Sequence, residues 1–165
     1  MQYKKNCFQY KFKLFLIIIT CLLNSPAYAA GSSSDSKTSI TKSTYYYDAM
    51  KLIKKKSFEA AIKSLKKAEI NSKNDPDIYN YLGYSNRKLG NMEKAASNYR
   101  KALKISPKHK GALEYQGEMF LTLGQIKKAE ANLKKLESIC FLDYEKEKIL
   151  KESISKYKKK KKSSY

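Results

Sequence analysis

Three tyrosines recur at an interval of 34 residues: Tyr47, Tyr81 and Tyr115. A phenol offers an apolar ring and a hydrogen-bonding hydroxyl, a combination common where proteins hold peptides. Tyr84 lies one helical turn from Tyr81, and polar residues share the same segments. A binding groove for a partner protein or peptide is therefore predicted, lined by Tyr47, Asn80, Tyr81, Tyr84, Arg87, Lys88, Glu114, Tyr115 and Glu118. The alternative interpretation is that the tyrosines pack one repeat against the next.

Residues able to support catalysis or metal binding are few. His109 is the single histidine, and it follows Pro107 in a predicted turn, where a surface position is expected. Without a second histidine, a cysteine pair or a glycine-rich loop after a strand, neither a metal site nor a phosphate-binding loop is assembled. Glu114 and Glu118 lie one helical turn apart, which is typical of a solvated helix face. We therefore expect no enzyme activity, no metal and no cofactor.

Lysine dominates the charge of the 165-residue chain, which has 35 basic and 15 acidic residues. All but two of the basic residues are lysine, a bias that an AT-rich coding sequence would also produce. The run "KYKKKKK" predicts an unpacked tail over residues 158–165, which would attach to an anionic membrane surface or polymer. This attachment is the alternative function, and nucleic acid is not an expected partner because no reading motif is present. The predicted polyanion contact consists of Lys158, Lys159, Lys160, Lys161 and Lys162.

The elements that would position these residues follow from the 34-residue period. No strand pattern is present between Thr44 and Tyr157, and helical spacing holds throughout. Three copies align without insertion, over 42–75, 76–109 and 110–143. The aligned columns are Ala49, Gly83 and Gly117; Ala61, Ala95 and Ala129; Leu65, Tyr99 and Leu133. The sequence predicts an all-α solenoid of three helix-turn-helix repeats, with a C-terminal capping helix over 144–157.

Residues with specific backbone preferences mark the predicted helix ends. Asp75 and Pro76 would form an N-cap and a first helical residue. Gly90 and Gly124 would supply the left-handed residue after the first helix of their repeats. In the last helix, an apolar face would cover the end of the stack. That face consists of Ile149, Leu150, Ile154 and Tyr157.

The columns resemble the tetratricopeptide repeat, most closely in the middle copy, where Tyr79, Leu82, Gly83, Ala95, Tyr99, Ala102 and Pro107 match its pattern. Asn86 departs from it, because the family has tyrosine there. The resemblance implies that the first helices line a curved groove and that the second helices face outward. Lysines on those outer helices, such as Lys63 and Lys94, are interpreted as a solvated face.

The resemblance to tetratricopeptide repeats also suggests a specific ligand that this chain is not expected to bind. Many such proteins capture a C-terminal carboxylate with a clamp of lysine, asparagine and arginine. The positions that would supply the clamp are Tyr46, Met50, Tyr81, Gly111 and Tyr115. Because these residues offer no such charges, acidic chaperone tails are not expected ligands.

The N-terminal segment is predicted to direct export. Four lysines precede the apolar run "LFLIIITCLL", and Ala27 and Ala29 form a cleavage site, so residues 1–29 are predicted to be a signal peptide. The alternative is a lipoprotein acylated at Cys21. Residues 30–41 are predicted to be a flexible linker. Removal of the signal lowers the net charge from +20 to +16 and leaves Cys140 as the single cysteine.

The export prediction agrees with a second resemblance, to a group of small exported bacterial repeat proteins of unassigned function. In that group, a C-terminal segment carries two cysteines. Here Cys140 remains and Tyr144 stands at the second position, so a disulfide there is not expected. The predicted location is the periplasm, with release from the cell as the alternative.

Overall fold

The computed structural model describes residues 42–139 and 144–163. Within these ranges the chain forms seven α-helices and no β-strand. The predictions about the signal peptide, the linker and Cys140 lie outside the described residues. The helices are α1 (Thr44–Lys54), α2 (Phe58–Asn71), α3 (Pro76–Lys88), α4 (Met92–Ile105), α5 (Lys110–Thr122), α6 (Ile126–Ser138) and α7 (Glu145–Lys162).

Consecutive helices pack as pairs, and the pairs stack in chain order. α1 packs on α2, α3 on α4, and α5 on α6. Contacts of α2 with α3, of α4 with α5 and of α3 with α5 join each pair to the next. α7 packs on both α5 and α6 and so covers the last pair. The all-α solenoid predicted from the repeat is confirmed.

The turns inside the pairs use left-handed backbone. Gly90 has a φ of 79° and Gly124 a φ of 72°, as predicted. Lys56 occupies the equivalent position of the first pair with a φ of 59°. Left-handed backbone costs a residue with a side chain about 1–2 kcal/mol. The first turn is therefore strained where the other two are not.

The N-terminus of α3 is also built as predicted. Pro76 is its first helical residue, and Asp75 is its N-cap. The Asp75 carboxylate accepts a hydrogen bond from the backbone N–H of Asp77, with an N to O distance of 2.9 Å. This bond satisfies one of the donors that a helix start leaves free.

Small residues stand where helices approach closely. A Cβ on Gly83 would lie 2.6 Å from the ring of Tyr99, which is fully buried on α4. A Cβ on Gly117 would lie 2.6 Å from Leu150 on α7. Ala49, in the same column, is fully buried in the first pair. The second and third pairs therefore require glycine at this position, whereas the first accepts alanine.

α7 is longer than predicted. It begins at Glu145 and ends at Lys162, so the lysines predicted to form a separate tail extend the helix instead. Cations at a helix C-terminus interact favourably with the helix dipole. The Lys158 ammonium also lies 2.6 Å from a carboxylate oxygen of Glu130 on α6. Among the described residues, no helix is long and apolar enough to cross a membrane.

Candidate functional site

Five tyrosines of α1, α3 and α5 form a row of rings across the three helix pairs, which we call the tyrosine row: Tyr46, Tyr47, Tyr81, Tyr84 and Tyr115. Tyr46 packs edge to face on Tyr47 and on Tyr81, with centroids 5.7 and 6.0 Å apart. Tyr84 packs on Tyr115 with centroids 4.8 Å apart. Because these contacts join α1 to α3 and α3 to α5, the stacking of the pairs creates the row.

The tyrosine row is partly open to solvent. Tyr47 is 53% exposed, whereas Tyr46 is 8% exposed. Tyr81, Tyr84 and Tyr115 are half-buried. The rings therefore pack one repeat against the next, and part of their surface is open to solvent.

Charged side chains brace the middle of the row. Arg87 Nη2 donates a hydrogen bond to Glu118 Oε2 over 2.7 Å, which links α3 to α5. The Arg87 guanidinium lies 5.6 Å from the Tyr84 centroid and 6.0 Å from that of Tyr115. The Lys88 ammonium lies 5.3 Å from the Tyr84 centroid. At these distances cations are attracted to the ring faces, so the structure places all three charged residues at the row.

Two residues predicted for the groove are buried instead. Asn80 is 3% exposed and Glu114 is 2% exposed, so neither faces an open groove. Both share one repeat column with Tyr46, which is also buried. The fifth position of each repeat therefore points between stacked helices. The helical pattern of a single repeat does not predict this burial, because the residues that cover the fifth position belong to a neighbouring helix.

The Glu114 carboxylate lies beneath α7. The Lys146 ammonium on α7 is 3.4 Å from Glu114 Oε2 and 5.6 Å from the Tyr115 centroid. Burial raises the pKa of Glu114 to about 7, and the Lys146 charge offsets this only in part. The nearby Glu118 carboxylate raises the pKa further. Glu114 is thus a buried acid that titrates near neutral pH.

We expect Glu114→Gln to flatten the pH dependence of stability between about pH 4.5 and about pH 7. The folded-state pKa of Glu114 lies above its ordinary value of 4.5. Across that window the native protein therefore holds a proton that the unfolded chain has released, and the free energy of unfolding falls as pH rises. Glutamine cannot lose a proton, so the variant should be the more stable protein above neutral pH.

Urea unfolding at a series of pH values measures this difference. The control is Glu152→Gln, at an exposed position of α7, which should keep the wild-type pH profile. If the Glu114→Gln protein and the wild type lose stability equally over the window, Glu114 does not titrate as described.

His109 has a structural role that the sequence did not predict. Its Nδ1 accepts a hydrogen bond from the backbone N–H of Ala112 and caps α5. Its Nε2 lies 2.8 Å from Asp77 Oδ1, so this nitrogen carries the proton. The side chain is 13% exposed, and the expected surface position is corrected. The hydrogen bond from His109, with that from Lys42, lowers the pKa of Asp77 to about 2.

Among residues 42–139 and 144–163, no group of three His, Cys, Asp or Glu side chains is placed to hold a metal ion.

We compared the sequence with known protein families. Residues 76–109, which contain α3 and α4, match the family described as "Tetratricopeptide repeat". Residues 76–109 thus form a tetratricopeptide repeat. A comparison with curated protein sequences found no match.

This chain shares its fold with solved structures. It is similar to the type III secretion translocator chaperone SycD of Yersinia enterocolitica, in its alternative dimer, with a TM-score of 0.65 and 21% identity over 77% of this chain and 98% of that one. A second SycD structure gives a TM-score of 0.64 and 18% identity over 81% and 97% of the two chains. At these identities the likeness establishes the fold alone.

The sequence prediction of the site missed two residues, Tyr46 and Lys146. Tyr46 aligns with Asn80 and Glu114, so its column shows no shared chemistry that would mark it. Lys146 lies outside the three repeats, and nothing in a lysine-rich sequence distinguishes it from its neighbours. Only the docking of α7 against α5 brings it to the tyrosine row.

Proposed function

We propose that this protein is an exported, non-enzymatic interaction scaffold that binds a segment of a partner protein along the tyrosine row. The observation that carries the proposal is the row itself, a line of part-exposed rings that crosses three stacked helix pairs. Tetratricopeptide repeats, and the chaperones that share this fold, support a protein-binding role. Export to the periplasm rests on the predicted signal peptide, with its cleavage site at Ala27 and Ala29.

The row suits binding because its rings are already held in place. Tyr84 and Tyr115 pack on each other, and the ion pair between Arg87 and Glu118 fixes the two helices that carry them. Side chains that are ordered before binding lose less entropy when a ligand arrives. Tyrosine also supplies a large contact area with a hydrogen-bonding end. A partner segment would therefore gain affinity without a large rearrangement of this protein.

The test is a comparison of two tyrosines on the same helix. Tyr47 is 53% exposed and belongs to the row, whereas Tyr45 is 43% exposed and lies near Lys67 on α2. Protein covering residues 30–165 would be used to capture partners from an envelope extract. We expect Tyr47→Ser combined with Tyr81→Ser to lose the captured proteins at least about tenfold, and Tyr45→Ser to keep them.

Circular dichroism of each variant is the accompanying readout. Loss of captured proteins with an unchanged helical spectrum supports the tyrosine row as the binding surface. If Tyr45→Ser loses the same proteins, or if the row variant loses its helices, the row is not a separate binding surface and the proposal fails.

A second candidate function is electrostatic attachment to an anionic membrane surface or polymer, favoured by the exposure of residues 158–162. An α-helix turns by about 100° per residue, so these lysines point around the axis and only some face one surface. Each lysine that faces an anionic lipid surface would contribute about 1 kcal/mol. The capture experiment would be repeated at about 0.15 M and about 0.5 M salt. Components that are released at high salt would be bound through the lysines, and proteins that are retained would be bound along the tyrosine row.

A further inference from the structure

A cleft lies beside the second helix pair, and none of its lining residues belongs to the tyrosine row. It opens between α2 and α4, has α3 as its floor and encloses about 550 Å³. We call it the α2–α4 cleft. The apolar part of its surface includes Ile62, Leu82 and Leu89. A volume of this size accommodates a large side chain with adjoining backbone.

The cleft coincides with the position where the sequence departs from the repeat pattern. Asn86 lies on its floor, in the column that holds Leu52 in the first repeat and Phe120 in the third. Phe120 packs on the buried clusters around Leu113 and Tyr99. The Asn86 amide instead turns back and donates a hydrogen bond to the Leu82 carbonyl over 2.8 Å. The second repeat thus lacks the large apolar side chain that fills the third.

The walls of the cleft carry an excess of positive charge. Lys63 and Lys66 come from α2, and Lys94 and Lys101 from α4, against the two carboxylates of Glu59 and Glu69. Among the described residues, no salt bridge involves any of these four lysines. The lysines therefore remain available to an incoming anion.

We propose that the α2–α4 cleft binds a short acidic segment of a partner protein, which places one large apolar side chain over Asn86 and carboxylates against the lysines. This site is separate from the tyrosine row, and the proposal does not depend on the row's function. The apolar side chains of the cleft favour such a segment over a bare polyanion, because a polymer without apolar groups gains nothing from Ile62 and Leu89. Asn91 and Asn98 also line the cleft and can hydrogen-bond to peptide backbone.

The probe is a fluorescein-labelled peptide, Glu-Asp-Glu-Phe-Leu-Glu-Asp-Glu, titrated with protein covering residues 30–165 and followed by fluorescence anisotropy. Two control peptides separate the contributions. One replaces every acid with its amide, and the other keeps the acids but replaces Phe-Leu with Ser-Ser. We expect both changes to weaken binding, by about tenfold or more in Kd.

Asn86→Phe is the decisive variant, because it gives the second repeat the phenylalanine that the third repeat has at the equivalent position, Phe120. We expect it to abolish peptide binding while the melting temperature stays the same or rises. Lys63→Glu combined with Lys94→Glu should weaken binding about tenfold or more through charge alone. The matched control is Lys127→Glu with Lys134→Glu, at exposed lysines of α6 outside the cleft, which should bind like the wild type.

Contrary outcomes are equally specific. Equal binding of the Ser-Ser peptide, or competition by phosphatidylglycerol vesicles that matches the peptide, would show a general cationic surface and overturn the proposal. Undiminished binding by a folded Asn86→Phe protein would show that the cleft is not the site. A row variant, Tyr47→Ser with Tyr81→Ser, should bind the peptide normally, and a loss there would place the peptide on the tyrosine row.

Discussion

Truncation of Tyr99 to alanine is expected to lower the free energy of unfolding by about 3–5 kcal/mol. Tyr99 is the largest fully buried side chain among the described residues. Its ring lies against the backbone of Gly83, so alanine would leave a cavity between α3 and α4 that rigid helices cannot close. Domains of this size are stable by about 5–15 kcal/mol, so the loss is a large part of the total. Urea unfolding followed by circular dichroism measures it.

A double-mutant cycle provides the control for Tyr99. The first repeat pairs Ala49 with Leu65 where the second pairs Gly83 with Tyr99. Gly83→Ala alone introduces a clash, which offsets the helix propensity that alanine adds. With Tyr99→Leu present the clash is removed, so the double variant should be more stable than the sum of the single changes by at least about 1 kcal/mol. Additive effects would show that Gly83 and Tyr99 are not packed as described.

Leu150→Ala is expected to cost about 2–5 kcal/mol and to release α7. Leu150 is fully buried, and its methyl groups occupy the space that a Cβ on Gly117 would need. Because α7 is an end helix, it can open without the rest of the stack. Hydrogen exchange should therefore accelerate in 145–162 far more than in α3 and α4. Lys151→Ala, at an exposed position of the same helix, should leave exchange unchanged.

Release of α7 has a second consequence at Glu114. With Lys146 and the rest of α7 removed, water reaches the carboxylate, and its pKa should fall towards the ordinary value. The Leu150→Ala protein should thus lose the pH dependence that distinguishes wild type from Glu114→Gln. Uniform acceleration of exchange across all helices would instead mean that α7 unfolds only with the whole stack.

The local features of the fold were predictable because they depend on residue types at fixed spacings. Gly90 and Gly124 mark left-handed turns, since glycine adopts positive φ at little cost. Asp75 and Pro76 mark a helix start, and the structure places both as expected. The prediction for His109 was wrong for the opposite reason. Its main partner, Asp77, stands 32 residues away in the chain, and no local pattern brings them together.

The candidate site was predictable only in part. The column that holds Tyr47, Tyr81 and Tyr115 remained partly open, whereas the neighbouring column of Tyr46, Asn80 and Glu114 was buried. These columns differ by a single residue, about 100° around the helix. Whether a column is covered depends on the angle at which the next pair stacks, and that angle is set by side chains on other helices.

The sequence by itself determined the helical repeat architecture, the turns and the column of Tyr47, Tyr81 and Tyr115, because repetition and backbone preference act locally. The tertiary structure alone decided that α7 docks on α5 and buries Glu114. It also decided that the lysines of 158–162 continue a helix. A cleft remains at Asn86, whereas Phe120 packs into the core at the equivalent position of the third repeat. These outcomes depend on contacts between residues distant in the chain, whose burial is fixed only when the helices pack.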